Sequence, residues 1–297
     1  MSTRPDGPGS PRVSQPAERA LFTRLFDDAA VFPPGLAPLP RAVGDHLARR
    51  TADVADLVGP LLVPASAAEE LLTLPLPGPS GRSGPALTVA LIGRPGVAVA
   101  AVGEALSRLS QDGRVEVAGV EVGWSPGWEL ALDWQLPVSV EVPRGTQQAK
   151  ALRDVAAHAG GREGVQAKFR TGATATTDVP APHELAGFVR ACIDADLGFK
   201  LTGGLHHAVT GTHDGEQQFG FLNVLHAVRW ALNGAEVDEL EPLLAEQDPE
   251  PVLEAVSRMS IADASITRAF FTAYGCCGVM DPIGELSTLG LIEETTV

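Results

Sequence analysis

Only three of the 22 basic residues in this chain are lysines: Lys150, Lys168 and Lys200. Two of them stand inside apolar runs, Lys168 in VQAKFRTG and Lys200 in LGFKLTGGLHH. Arginine serves as the general surface cation of this sequence, so lysine at these two places asks for a chemical reason. Arginine keeps its proton in proteins, whereas a desolvated lysine can lose it and attack a carbonyl carbon. A charged residue in the middle of a buried strand is also costly unless it is paired or used.

Acids and polar groups recur at similar places in other apolar runs. Asp27 and Asp28 lie in LFDDAAVF, Glu121 in VEVAGVEVGW and Glu141 in PVSVEV. Arg170 follows Lys168; Thr202, Gly203, Gly204, His206 and His207 follow Lys200; Asn223 lies in FGFLNVL. With both lysines on neighbouring parallel strands, about 5 Å apart, repulsion and desolvation would both favour the neutral amine, and one pKa is expected to fall. That arrangement suits an imine-forming lysine, with Glu121 moving protons. Asp27 and His206 are further acid–base candidates. Arg170, Thr202, Gly203, Gly204, Glu141, Asn223 and Asp28 are the expected substrate contacts.

These groups need a scaffold that brings strand ends together. Apolar runs fall at 25–32, 59–65, 86–93, 115–124, 137–142, 165–171, 198–203 and 219–224, with amphipathic or polar segments between most of them. Alternation of this kind predicts a parallel sheet, and eight units predict a (β/α)8 TIM barrel whose site lies at the C-terminal strand ends. An open doubly wound sheet is the runner-up, weakened because no G-x-G-x-x-G follows the first strand. The expected organisation is a disordered leader over 1–17, the barrel over 18–234, and a C-terminal helical extension over 235–297 packed on the barrel.

Composition narrows the partners. With 37 acids against 22 bases the net charge is −15, which repels phosphate backbones and anionic lipid, so neither nucleic acid nor a membrane is expected. No apolar run approaches the length of a spanning helix. The polar, Pro-rich start lacks a signal-peptide core, and the three cysteines, Cys192, Cys276 and Cys277, suit a reducing compartment. A cytoplasmic location is the expectation. A small carbonyl compound is the expected partner, with no cofactor and no metal; a homodimer stays open as an assembly.

The lysine segments also carry a resemblance. The pattern A-K-F-R-T-G followed by G-F-K-L-T-G-G-L resembles the deoxyribose-phosphate aldolase family, class I Schiff-base enzymes built on a (β/α)8 barrel. That family shows K-T-S-T-G on strand six and G-F-K-x-x-G-G on strand seven. The likeness implies Lys168 as the Schiff-base lysine, Lys200 as the neighbour that lowers its pKa, and Glu121 in VEVGW as the proton-transfer acid. The chain also departs from the pattern. Arg170 replaces a small serine, FGFLN lacks the family's serine pair, and His206-His207 stand where the family has Val/Ile-Arg. The resemblance therefore implies aldolase-like C–C bond cleavage or formation on a different substrate.

Two other readings fit the same residues. One is a metal-dependent barrel enzyme using His206, His207 and an acid, with the lysines binding a substrate carboxylate. The other is a non-catalytic barrel that binds a small anion at the two lysines. Among the remaining candidates, His213 and Asp214 extend the histidine cluster, Cys276-Cys277 suggest a tight buried turn, and Trp124 and Trp128 suit either a pocket wall or helix-covering core.

Overall fold

The computed structural model describes residues 16–78, 84–160, 162–213 and 215–293. Most of the expected leader lies outside these residues, as does Asp214. Eight parallel strands close into a barrel: β1 (Phe26–Asp28), β2 (Val58–Pro64), β3 (Leu87–Ile92), β4 (Val115–Gly123), β5 (Val138–Glu141), β6 (Val165–Arg170), β7 (Phe199–Thr202) and β10 (Phe271–Cys276). Two further short strands, β8 (Gly211–His213) and β9 (Glu216–Gln218), form an antiparallel hairpin outside the barrel. The (β/α)8 barrel read from the sequence is present.

Each barrel strand shows the period-2 logic of a sheet with two environments. Ala167 and Phe169 of β6, and Phe199 and Leu201 of β7, are fully buried in the main apolar core. The alternating residues, Gln166, Lys168, Arg170 and Lys200, belong to the lumen. Phe169 stacks on Phe188 of α6 (Pro182–Asp194), with ring centroids 4.6 Å apart. The outer helices bury one stripe each: α2 (Leu39–Arg49), α4 (Val99–Leu109) and α5 (Gln148–Ala159) present apolar residues to the sheet and polar ones to water. The short α3 (Ala68–Thr73) packs beside α4, and α1 (Pro16–Phe22) packs against α10 (Ile261–Phe270).

The eighth barrel strand is not where the apolar runs placed it. FGFLNVL is the start of α7 (Phe221–Leu232), which is buried at Phe221, Leu222, Val224, Leu225, Ala227, Val228 and Ala231. A helix buried on several sides has no clean polar face, so a short window of it reads like a buried strand. The chain then forms α8 (Val237–Ala245), α9 (Pro249–Ser257) and α10 before returning as β10. Tyr274 of β10 pairs with Phe26 of β1 and with Leu201 of β7, which closes the barrel. The barrel therefore runs past residue 234, and of the expected extension only α11 (Met280–Thr288) follows the last strand. Cys276 is the last residue of β10, and Cys277 stands in the turn that follows it.

Candidate functional site

Strand register brings the two lysines level: Lys168 and Lys200 are Cα partners on β6 and β7, and Glu141 of β5 is the partner of Lys168 on its other side. Their side chains meet acids from across the lumen. Lys168 Nζ lies 2.6 Å from Glu121 Oε2 and 2.9 Å from Glu141 Oε2. Lys200 Nζ donates to Asp27 Oδ2 and to Glu121 Oε1. Arg170 Nε donates to Glu141 Oε1 at 3.1 Å. The result is an alternating chain, Asp27–Lys200–Glu121–Lys168–Glu141–Arg170, of three anions and three cations. Asp27, Glu121, Glu141, Lys168 and Lys200 are all buried, and Arg170 is half-buried.

Charge alternation explains how such a lattice survives in a low-dielectric lumen. Burial alone would raise the Glu121 pKa, but the Lys168 and Lys200 ammoniums, one on each oxygen, hold it down at about 2. Burial likewise opposes ionisation of Glu141, and Lys168 and Arg170 reverse that and lower its pKa. Burial would lower the Lys200 pKa, yet Asp27 and Glu121 overcome it and keep the ammonium protonated. Asp27 behaves differently. Its burial outweighs the single Lys200 contact, so its pKa is raised.

One sequence expectation changes here. The ammoniums do not face each other across empty space, because the Glu121 carboxylate bridges them, and the Lys200 pKa is raised rather than lowered. Glu121, held at about 2, sits between them as a carboxylate.

A residue that sequence reading missed makes room for Asp27. Gly59 of β2 lies against its side chain, and a Cβ at Gly59 would collide with Asp27 Oδ1. An isolated glycine in a strand is a general sign of close approach, but nothing in sequence says which group approaches. Below the lattice, Gln166 Nε2 donates to Ser139 Oγ at 2.9 Å and Thr272 Oγ1 donates to Gln166 Oε1 at 2.6 Å. Ser139, Gln166, Asp27, Glu121 and Lys200 share a cavity of about 90 Å³, room for several waters beside the carboxylates.

The expected glycine turn is next to this lattice. Gly203 and Gly204 have φ of 74° and 71°, conformations that favour glycine. A Cβ on Gly172 would lie 3.0 Å from the Gly203 carbonyl carbon, so the ends of β6 and β7 approach backbone to backbone. Thr202 is the Cα partner of both Arg170 and Gly275, which puts it at the same level of the barrel.

Other expected site residues lie elsewhere. Asp28, one residue after Asp27, points to the opposite face of β1. Its carboxylate accepts from His46 Nδ1 at 3.0 Å and from Arg49 Nη1 at 2.6 Å, both on α2. It fastens α2 to β1. Asn223, displaced with its helix, donates to the Leu243 and Glu246 carbonyls at 2.8 Å and accepts from Thr210 N at 2.9 Å. It ties α7 to the end of α8. His206 directs its ring at two thiols: Nδ1 is 3.5 Å from Cys276 Sγ and Nε2 is 3.6 Å from Cys277 Sγ. Burial lowers the His206 pKa and raises both thiol pKa values, so this contact is between neutral groups. No lattice residue is among its hydrogen-bond partners. His207 Nδ1 pairs with Glu285 Oε1 of α11 at 2.6 Å, and its ring stacks on His213. The two adjacent histidines thus diverge, and among the described residues no group of three or more His, Cys, Asp or Glu is arranged to hold a metal ion. Trp124 and Trp128 both donate to Asp154 of α5, at 2.8 and 2.9 Å, and so belong to the helix layer.

Fold and site together define a (β/α)8 barrel with a buried, charge-balanced lysine–carboxylate lattice in its lumen, on a fold that commonly hosts enzymes. No protein-family model matches the chain, and no curated protein or solved structure matches it either. No helix among the described residues is long and apolar enough to cross a membrane.

Proposed function

We propose that the protein is a class I aldolase-like lyase in which Lys168 forms a Schiff base with a small carbonyl substrate. The observation that carries this reading is the convergence of Lys168 and Lys200, level on adjacent strands, upon one buried carboxylate. Two lysines inside one small lumen are costly to bury. A balanced lattice accounts for their charge, and amine chemistry accounts for the choice of lysine. The resemblance to deoxyribose-phosphate aldolases at the two lysine segments supports the same roles. The lattice is less suited to a free anion, because three carboxylates already neutralise its three cations.

In the proposed reaction the Lys168 amine, once deprotonated, adds through its lone pair to the carbonyl carbon. A proton moves from nitrogen to oxygen and water leaves as the imine forms. C–C cleavage sends the bonding pair towards the imine nitrogen and gives an enamine, while the β-hydroxyl proton passes to a base. Protonation of the enamine carbon and hydrolysis by one water return the amine, with no net redox change. Asp27, whose pKa burial raises, is the acid–base group best suited to those transfers. Waters in the cavity that Asp27 shares with Glu121 and Lys200 can carry the proton around the lattice rather than through it. Lys200 stays an ammonium and holds Asp27 and Glu121 in place.

An enamine exchanges the hydrogen next to the carbonyl. In D2O, a panel of small aldehydes and ketones should lose α-C–H proton NMR signal faster with the protein than with buffer, and Lys168→Met should abolish the excess. No exchange above buffer with any member would overturn the reading.

A further inference from the structure

The lumen has two unlike halves. Opposite the lysine strands, Ala29, Leu62, Ala90 and Ile92 form an apolar cluster of their own, separate from the main core, with Phe32 packed on it. This cluster is inside the barrel. Ile92 is the Cα partner of Glu121, and Ala90 lines the same cavity as Asp27, Glu121 and Lys200. A Cβ at Gly275 would touch Leu62 at 3.1 Å, Ala29 at 3.7 Å and Thr202 Oγ1 at 3.5 Å. The apolar wall therefore adjoins the charged lattice directly.

Phe32 leads outward to the loops, where Arg94 lies over its ring, 5.0 Å from the centroid. In the loops after β1 and β3, Leu36 and Val97 are 65% and 42% exposed. Exposed large apolar residues in the loops that follow two of the wall's strands gain from covering by an apolar group. Hydroxyls pressed against Leu62 and Ile92 would lose water and find no partner there.

We propose that the substrate is an amphipathic carbonyl compound: an aldehyde or ketone whose carbonyl meets the lysine lattice while an aliphatic or aromatic substituent lies along Ile92, Leu62 and Phe32. A polyhydroxylated sugar is the class this lumen rejects. This inference rests on Schiff-base formation at Lys168 and adds the chemistry of the rest of the substrate.

The test compares butanal with its trihydroxylated four-carbon counterpart by borohydride trapping on the full chain. The readout is the concentration giving half-maximal adduct by intact mass, normalised to the reactivity of each aldehyde with a free lysine derivative. Butanal should require at least about tenfold less, the scale on which an apolar pocket discriminates by a few methylene-sized contacts. Ile92→Thr should narrow that ratio. Equal or better trapping of the hydroxylated aldehyde by the unaltered protein would overturn the inference while leaving the Schiff-base reading standing. If neither aldehyde, nor any wider panel member, adds to Lys168, the Schiff-base reading fails and this inference fails with it.

Discussion

Replacing Glu121 by Gln removes the one carboxylate that touches both lysines. The folded protein holds Glu121 at about 2 against an ordinary 4.5. That gap corresponds to roughly 3 kcal/mol of stability in favour of the ionised form, after the cost of burial. Because the folded pKa is depressed, the contribution is fully present above the unfolded value and disappears as pH falls through about 2. Glu121→Gln also leaves two ammoniums facing each other, and breaking a buried ion pair costs about 3–5 kcal/mol. Urea unfolding at pH 7 should therefore show a loss of about 3–5 kcal/mol at an unchanged m-value. Repeating the comparison at pH 3 should shrink the loss by roughly 2 kcal/mol, since by then much of the ionised-state advantage is gone. A loss below about 1 kcal/mol at pH 7, or one constant between pH 3 and pH 7, would refute the lattice electrostatics.

Three other substitutions separate lattice from scaffold. Gly59→Ala puts a methyl on Asp27 Oδ1; it should cost about 1–3 kcal/mol of stability and slow α-hydrogen exchange, whereas neither change would mean that Asp27 has room to spare. Asp28→Ala strips the partners of His46 and Arg49 and should destabilise by about 2–4 kcal/mol, with aldehyde trapping of the folded fraction unchanged; lost trapping at full stability would return Asp28 to the site. Asn223→Ala removes three hydrogen bonds between α7, α8 and the segment before β8 and should cost about 2–4 kcal/mol in thermal or urea unfolding, again without effect on trapping.

Much of the barrel was legible because β2 to β7 are apolar runs broken by polar, Gly- and Pro-marked segments, a pattern that parallel sheets impose. The closing strand was hidden for a physical reason. FTAYGC is mixed in composition, since β10 needs small residues such as Gly275 where Leu62 and Thr202 crowd the lumen, while the deeply buried start of α7 imitates a strand. The lattice was partly legible: Lys168, Lys200, Glu121, Glu141, Arg170 and Asp27 were all visible as polar residues in apolar runs. Which partner each would take was not, because that depends on register and on the path across the lumen. Asp27 and Asp28 show the limit most clearly. Adjacent in sequence, they fall on opposite faces of β1, one to Lys200 and one to His46 and Arg49, and only the barrel's closure decides which faces inward. Nothing local foretells that Cys276 and Cys277 bring their thiols to the His206 ring.

On the proposed function, Lys168 is the amine that reacts. With three lysines in the chain, the assignment can be read directly: trap the protein with aldehyde and borohydride, digest it, and locate the added mass by peptide sequencing. Modification is expected on Lys168 at substoichiometric aldehyde, ahead of the exposed Lys150 and ahead of Lys200. Modification confined to Lys150 and the chain's amino terminus, or falling on Lys200 with Lys168 untouched, would contradict it.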